Sequence, residues 1–417
     1  MFKILKKDKK TKARLGVLST PHGKILTPSY VFVGTYGKFR NLTPRDIKKT
    51  KTQLVIANTF HLWKKALQGR SLLVKKTILA EGFGNIPTMT DSGGFQVLSL
   101  AFGDKNKVSK FMTGYLPGLP GKTWYKRRDK NKVGKILTTL NVVYPQVVHR
   151  RKNVKITKEG VYFLFNEKKK FLGPELSMKL QRKIGADIIF AFDHITSPLD
   201  SFKYNKKAVE LTNRWAKICL KEHKNKNQML FGIVQGGLFK DLRIKSAKSI
   251  GSMSFDGFGI GGSYTKKQIS KILKWVIQYL PEEKPRHLLG VGKIADIFEA
   301  VQNGIDTFDC VIPTREARHG RLYTKTGHMD IRKGKYVSDK KVIEKGCGCQ
   351  TCSSKISRSK IRKLIKSNDT KLNADGQHWC LMHNMWFFNN LLEEIRGSIQ
   401  MDKFKEFKKK FLKNFIS

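Results

Sequence analysis

The chain of 417 residues is short of acid: 32 Asp and Glu stand against 83 Lys and Arg, a formal charge of +51. That excess is far beyond what solubility requires and points to a polyanionic partner such as nucleic acid, although lysine spread along a whole chain is also what a lysine-rich genome produces. Long apolar runs are missing as well. No stretch approaches the roughly 18 apolar residues of a membrane helix, and Met1 to Lys12 alternates apolar residues with lysines, without the apolar core of a signal peptide. Cysteine is scarce, with six residues, so thiols or metal ligands are expected rather than the disulfide framework of a secreted protein. These absences together predict a cytoplasmic protein with no membrane partner. A hydrophobic content of 40% excludes a disordered chain, and the length suits one large domain plus a smaller one, or a barrel with insertions.

Eight short apolar runs, each ending in glycine or small polar residues, recur along the chain: Tyr30 to Thr35, Leu54 to Thr59, Pro87 to Gly94, Asp187 to Asp193, Met229 to Gly237, Phe258 to Gly262, His287 to Gly292 and Thr307 to Thr314. Segments with helical spacing lie between most of them, for example Leu176 to Ile184, Ala208 to Glu222 and Lys267 to Tyr279. Eight alternating units predict an α/β fold of the (β/α)8 type over residues 1–330, with a doubly wound open sheet as the second architecture. In such a barrel the site is built at the carboxyl ends of the strands, which here carry Asp91, Asp193, Gln235, Gly262 and Asp309. The spacing fails once. Residues from about Ala101 to Asn153, with Tyr115 to Gly121 and Trp124 to Arg128 among lysines, read as an insertion on the site side: an RNA-contacting arm of interleaved aromatics and cations, or a solvated loop.

Three stretches carry chemistry. In Thr307 to Arg321, an apolar run of Phe308 and Cys310 to Ile312 carries one carboxylate, Asp309, and breaks at Pro313 into a predicted loop bearing Arg315, Arg318 and Arg321, a pattern suited to a phosphate-bearing substrate or to a structural ion pair. Asp91-Ser92-Gly93-Gly94-Phe95 offers a carboxylate, closely approachable backbone and a flat ring for a planar heterocycle. Glycine pairs recur at Gly236-Gly237 and Gly261-Gly262, and Asp193 with Gln235 can read a purine edge. Near the carboxyl end, Cys347, Cys349 and Cys352 can wrap a tetrahedral zinc if Cys380, His383 or, less suitably, His378 supplies a fourth ligand. Asp402 to Phe415 has the spacing of a packed basic helix.

These residues resemble a family. Thr90 to Gln96, Phe192-Asp193, Phe231 to Gly237, Leu289 to Lys293, Phe308 to Arg315 and the cysteine cluster with Leu381-Met-His-Asn384, in this order, are similar to tRNA-guanine transglycosylase, also called queuine tRNA-ribosyltransferase, of the bacterial type. The resemblance runs from Arg14 nearly to the end and implies a barrel with an inserted zinc-binding subdomain, placed here at 331–395, before a terminal helix at 396–417. It implies exchange of guanine at the tRNA anticodon wobble position for a 7-deazaguanine, with Asp309 as nucleophile and Asp91 as general acid and base. Ser92, Gly93, Gly94, Asp193, Gln235 and the Gly262 N–H would hold the base between Phe95 and Leu289. Gly290, Val291, Gly292, Lys293, Asp296, Thr314, Arg315 and Arg318 would hold the RNA, and His383 would complete a structural zinc site. A homodimer is implied by bacterial relatives. Other readings are a non-catalytic accessory member, disfavoured by retention of both aspartates, and a metal-dependent barrel hydrolase, disfavoured by the lack of strand-end histidines. Where relatives that take an aminomethyl base carry a glutamate, this chain has Lys267, and His194 replaces an acidic residue after Asp193. Both changes predict weaker discrimination against a neutral nitrile base.

Overall fold

A computed structural model describes residues 1–68, 78–99, 154–165, 168–198, 200–262 and 266–415; the expected insertion at about 101–153 and the side chain of Lys267 lie outside the described residues. The chain opens with an antiparallel sheet, β1 (Phe2–Lys7), β2 (Arg14–Thr20) and β3 (Gly23–Thr27). The barrel strands β4 (Ser29–Val33), β5 (Val55–Ala57) and β6 (Thr88–Thr90) follow. A second antiparallel sheet, β7 (Val154–Ile156), β8 (Val161–Phe165) and β9 (Lys168–Leu172), interrupts the series, which resumes with β10 (Ile188–Phe190), β11 (Met229–Val234), β12 (Gly257–Ile260), β13 (Arg286–Leu288) and β14 (Thr307–Cys310). The eight parallel strands close in the order β4, β5, β6, β10, β11, β12, β13, β14, with β14 pairing back to β4 through Asp309 opposite Val31. All eight predicted runs supply a strand, each shorter than its run because the run's last residues leave the ladder to form the mouth.

Two apolar layers hold this frame. Inside the barrel Val31, Ile56, Met89, Phe190, Phe231 and Ile233 pack with Leu18 and Ile25, so the β2–β3 hairpin plugs the barrel floor. Outside, the strands' other faces pack against helices such as Pro174–Ile184, Phe202–Glu222, Lys240–Gly251 and Ile294–Gln302. Their starts follow local chemistry: Ser201 accepts from the Tyr204 N–H, and Thr43 with Asp46 forms a reciprocal capping box before the helix Pro44–Lys49. Burying an apolar side chain contributes about 1.5–3 kcal/mol, so these layers, not the short ladders, provide most of the stability.

After β14 the chain forms a helix, Ile312–Arg318, then the hairpin β15 (Arg321–Thr324) and β16 (Gly327–Asp330). This corrects the loop expected after Pro313. Proline sits in the first turn of this helix, where its missing N–H has no bond to lose. The helix Thr370–Gln400 then runs 31 residues, capped by Asp369, and residue 395 lies inside it. Asn389 on it donates to the Thr50 carbonyl, tying this region to the barrel. The terminal helix Phe404–Asn414 lays Phe404, Phe407 and Phe411 against Phe298, as a packed terminal helix should.

Candidate active site and metal centre

The barrel mouth gathers three carboxylates from different strands. Asp91, one residue beyond β6, is held by four donors: Oδ1 accepts from the Thr59 and Gly93 N–H groups at 3.0 and 3.2 Å, and Oδ2 from Asn58 Nδ2 and Gln96 Nε2 at 2.5 and 3.1 Å. Removal from water nevertheless pushes its carboxyl up to about 7, against those donors and with help from the negative charge of Asp309. Asp193, buried beyond β10, accepts from Gln235 Nε2 at 2.6 Å and from Ser92 Oγ at 3.3 Å, and burial pushes it up to about 6. Gln235 keeps its own Oε1 buried, with no hydrogen-bond partner among the described residues. A buried carboxylate and a buried amide oxygen thus stand side by side at one edge of the mouth.

Glycine shapes this pocket where space or conformation demands it. Gly262 has φ +111, and a Cβ on Gly261 would lie 2.5 Å from Gln235 Nε2. Arg243, fully buried, cross-ties both glycine pairs: Nε donates to the Gly237 carbonyl at 2.8 Å and Nη1 to that of Gly261 at 2.7 Å. Sequence reading missed Arg243 and Asn58, because an arginine on a helix and an asparagine at a strand end have many ordinary roles. Phe95 and Leu289 are half-buried at the mouth, Ser92, Gly93 and Gly94 are buried below it, and Ser92 Oγ also accepts the Gly94 N–H. His194 turns away into the core, with Nε2 3.0 Å from the Tyr204 hydroxyl.

Asp309, third residue of β14, differs from the other two. Its Oδ1 lies 3.0 Å from His287 Nε2 and 3.2 Å from the Gly290 N–H, while no donor among the described residues reaches Oδ2. His287 was read only as the start of a strand. Beside this carboxylate, Gly290 and Lys293 are exposed, Val291, Gly292, Asp296 and Thr314 are buried, and Arg315 and Arg318 are half-buried on one helix. Gly292 lets its loop close on β14, since a Cβ there would lie 2.5 Å from that of Cys310. Burial, then the nearby Arg40 and Arg315, hold the Arg318 guanidinium below its usual range, and none of these three arginines meets a carboxylate among the described residues. Farther along, Arg315, His319, Arg321, Arg332 and Lys333 line a cleft of ≈ 570 Å³ that also contains Glu316.

The second centre is closed. Cys347, Cys349, Cys352 and His383 bring their ligand atoms within 4.8 Å of one another, while Cys380 is buried outside the group and His378 Nδ1 meets the Asn41 carbonyl. His383 Nδ1 lies 3.9, 3.3 and 3.8 Å from the three sulfurs, and its Nε2 is 2.7 Å from the Tyr323 carbonyl. Zn–S and Zn–N bonds of about 2.3 and 2.0 Å imply tetrahedral edges of about 3.5 Å, so the donors fit a four-coordinate metal. The carbonyl takes the Nε2 proton and leaves Nδ1 as the ligand.

A closed parallel barrel with several carboxylates at its strand ends, a glycine-walled pocket and a separate four-donor thiolate–imidazole centre defines a class of barrel enzyme with a site that can hold a structural metal. A family model described as "Queuine tRNA-ribosyltransferase" matches residues 8–114 and 130–417. The chain is also 35% identical over 421 aligned residues to the queuine tRNA-ribosyltransferases of Francisella tularensis subsp. novicida (strain U112) and subsp. mediasiatica (strain FSC147), with 99% of this chain and 98% of each relative covered. It belongs to the queuine tRNA-ribosyltransferase family and is a pentosyltransferase. No helix among the described residues is long and apolar enough to cross a membrane.

Proposed function

We infer that this enzyme exchanges the guanine at the anticodon wobble position of tRNA for a 7-deazaguanine base through a covalent ribosyl–aspartyl intermediate. The observation that carries this reading is the unequal treatment of two carboxylates in one mouth. Asp91 is pushed up to about 7, where it can both give and take a proton, whereas Asp309 is tethered by one oxygen and presents the other.

In the first half-reaction Asp309 Oδ2 attacks the ribose C1′ while the C1′–N9 bond breaks, and its electron pair leaves with guanine, which is protonated from Asp91. In the second, Asp91 takes the N9 proton of the entering base, N9 attacks C1′, and the ester bond breaks to return the Asp309 carboxylate. Two inversions retain configuration. Asp193, Gln235 and the Gly262 N–H read the base, between Phe95 and Leu289. Arg40, Arg315 and Arg318, which meet no carboxylate among the described residues, suit the phosphodiester backbone together with Lys293 and the Gly290 N–H. By resemblance the physiological base is 7-aminomethyl-7-deazaguanine, and the place of action is the cytoplasm, where tRNA resides. The Cys347, Cys349, Cys352 and His383 set would hold a structural zinc, which supplies cross-linking and no step of the exchange.

Labelled guanine exchange into a tRNA transcript tests the activity, and a denaturing gel tests the mechanism. Wild type is expected to form a gel-stable protein–RNA adduct that Asp309→Asn does not form while still binding RNA. An adduct in that variant would move the nucleophile elsewhere.

A further inference from the structure

His287 is buried completely, and both of its ring nitrogens are engaged. Nδ1 is 2.9 Å from Thr307 Oγ1 and Nε2 is 3.0 Å from Asp309 Oδ1. The backbone explains how one ring reaches both. His287 pairs directly with Thr307 across the parallel ladder, and Asp309, two residues farther along β14, shares Thr307's face. Phe190 closes the ring from the side, with centroids 5.3 Å apart. An ionised carboxylate has no proton to offer, so the proton between His287 and Asp309 sits on Nε2. The Thr307 hydroxyl then donates to Nδ1 and fixes that tautomer.

We propose that His287, locked by Thr307, is a positioning residue that selects the attacking oxygen of Asp309: it ties down Oδ1, together with the Gly290 N–H, and leaves Oδ2 to form the bond to C1′. The same hydrogen bond acts in the second half-reaction. When N9 of the entering base displaces the ester, the electron pair of the breaking Oδ2–C1′ bond returns to the carboxylate, and the waiting donor on Oδ1 stabilises that developing charge. His287 therefore speeds release of the ribosyl-enzyme as well as its formation. In the free carboxylate it holds one rotamer, the geometric condition for in-line attack.

The inference rests on the reading of Asp309 as nucleophile, and its test separates the two. The full-length enzyme carrying His287→Phe, His287→Gln or Thr307→Val is mixed with a tRNA transcript in rapid-quench single turnovers. Adduct formation is followed on denaturing gels, and adduct breakdown after a chase with labelled guanine. His287→Phe, which fills the space without a donor, is expected to lower kcat by about 10- to 100-fold with KM for tRNA and guanine changed by no more than about twofold, and to lengthen the adduct's lifetime. His287→Gln, which restores an N–H, should recover most of that loss. Thr307→Val, near-isosteric and therefore informative even if His287→Phe fails to fold, should give a smaller loss confined to kcat. Wild-type adduct kinetics in Thr307→Val and His287→Gln together with either normal kcat or unfolding in His287→Phe would overturn the proposal, as would equal damage from Phe and Gln. If Asp309→Asn still forms the adduct, the nucleophile assignment itself fails. If the adduct maps to Asp309 but these variants make and release it normally, only the role of His287 falls.

Discussion

Two barrel strands carry an aspartate at each end, and the two ends are built differently. At the floor, Asp306 precedes β14 and accepts Arg14 Nε at 2.9 Å, Arg14 Nη2 at 2.5 Å and the Arg286 N–H at 2.7 Å, with neither ion-pair side chain more than 2% exposed. Asp187 precedes β10 and accepts from His22 at 2.7 Å and from the Thr88 N–H at 2.8 Å. Both oxygens of each of these two floor carboxylates thus have a partner within the protein. At the mouth, on the same strands, Asp309 leaves Oδ2 without a donor among the described residues, and beside Asp193 the buried Gln235 Oε1 has none. On β14 the floor aspartate has both oxygens bonded while the mouth aspartate leaves one open; Asp193 has both of its own oxygens bonded, and the open acceptor there is its neighbour Gln235, a contrast that fits the division between stability and chemistry expected along a barrel axis.

The largest effect should come from exchanging the two ends of β14. Asp309→Asn is expected to reduce base exchange by about 10⁴-fold or more while leaving the melting temperature level or slightly raised. Asp306→Asn should do the reverse. It leaves Arg14 buried beside an uncharged partner, a loss of about 3–5 kcal/mol, while the folded fraction keeps its KM for guanine. Thermal melts and initial rates on both variants check the pair, and a stable Asp306→Asn with poor exchange would erase the distinction between floor and mouth.

The metal centre extends the contrast, because its donors are complete in the way the floor's are. Cys349→Ser should therefore lose bound zinc and about 2–3 kcal/mol of stability, with guanine KM unchanged well below the melt. Full metal content with an unchanged melt would remove Cys349 from the ligand set.

The mouth was more legible in the sequence than the floor. Strand-end residues such as Asp91, Asp193 and Asp309 stand out because each lies in or at the end of a short apolar run, a local signal, and Asp91 also stands beside a glycine pair. The closed order of the eight strands followed from counting such runs. Asp306 and Asp187 stand before their strands, and their partners Arg14 and His22 lie 292 and 165 residues away, so no spacing rule joins them. His287 escaped for a related reason: its link to Asp309 spans two strands and depends on register. The sheet β7–β9 follows the segment where regular spacing fails, and its alternation in Val161–Phe165 is too short to distinguish from a loop's apolar anchor. The helix Ile312–Arg318 was hidden by Pro313, which reads as a break unless the helix is known to start there.

The smallest expected effect lies in how the mouth responds to pH, and it follows from Asp193. Its carboxyl is pushed up from 3.8 to about 6 because burial disfavours the charged form more than Gln235 and Ser92 favour it. Between those two values the folded protein holds a proton that the unfolded chain has released, so stability must fall as pH rises through that window: the contribution is fully present below about 4 and lost above about 6. Asp193→Asn keeps an acceptor for Gln235 Nε2 and removes the titration. Relative to wild type, the variant should therefore gain about 1–3 °C in melting temperature between pH 4.5 and pH 7.5, while its KM for guanine rises at both values because the base has lost its carboxylate partner. Asp91 shifts the same way, with its window reaching about 7, so it continues to titrate in both proteins and cancels from the difference. Melts of the two proteins across that range decide the matter. A parallel pair of curves would mean that Asp193 is ionised in the folded mouth throughout, and that its charge is tolerated there as completely as that of Asp306 is on the floor.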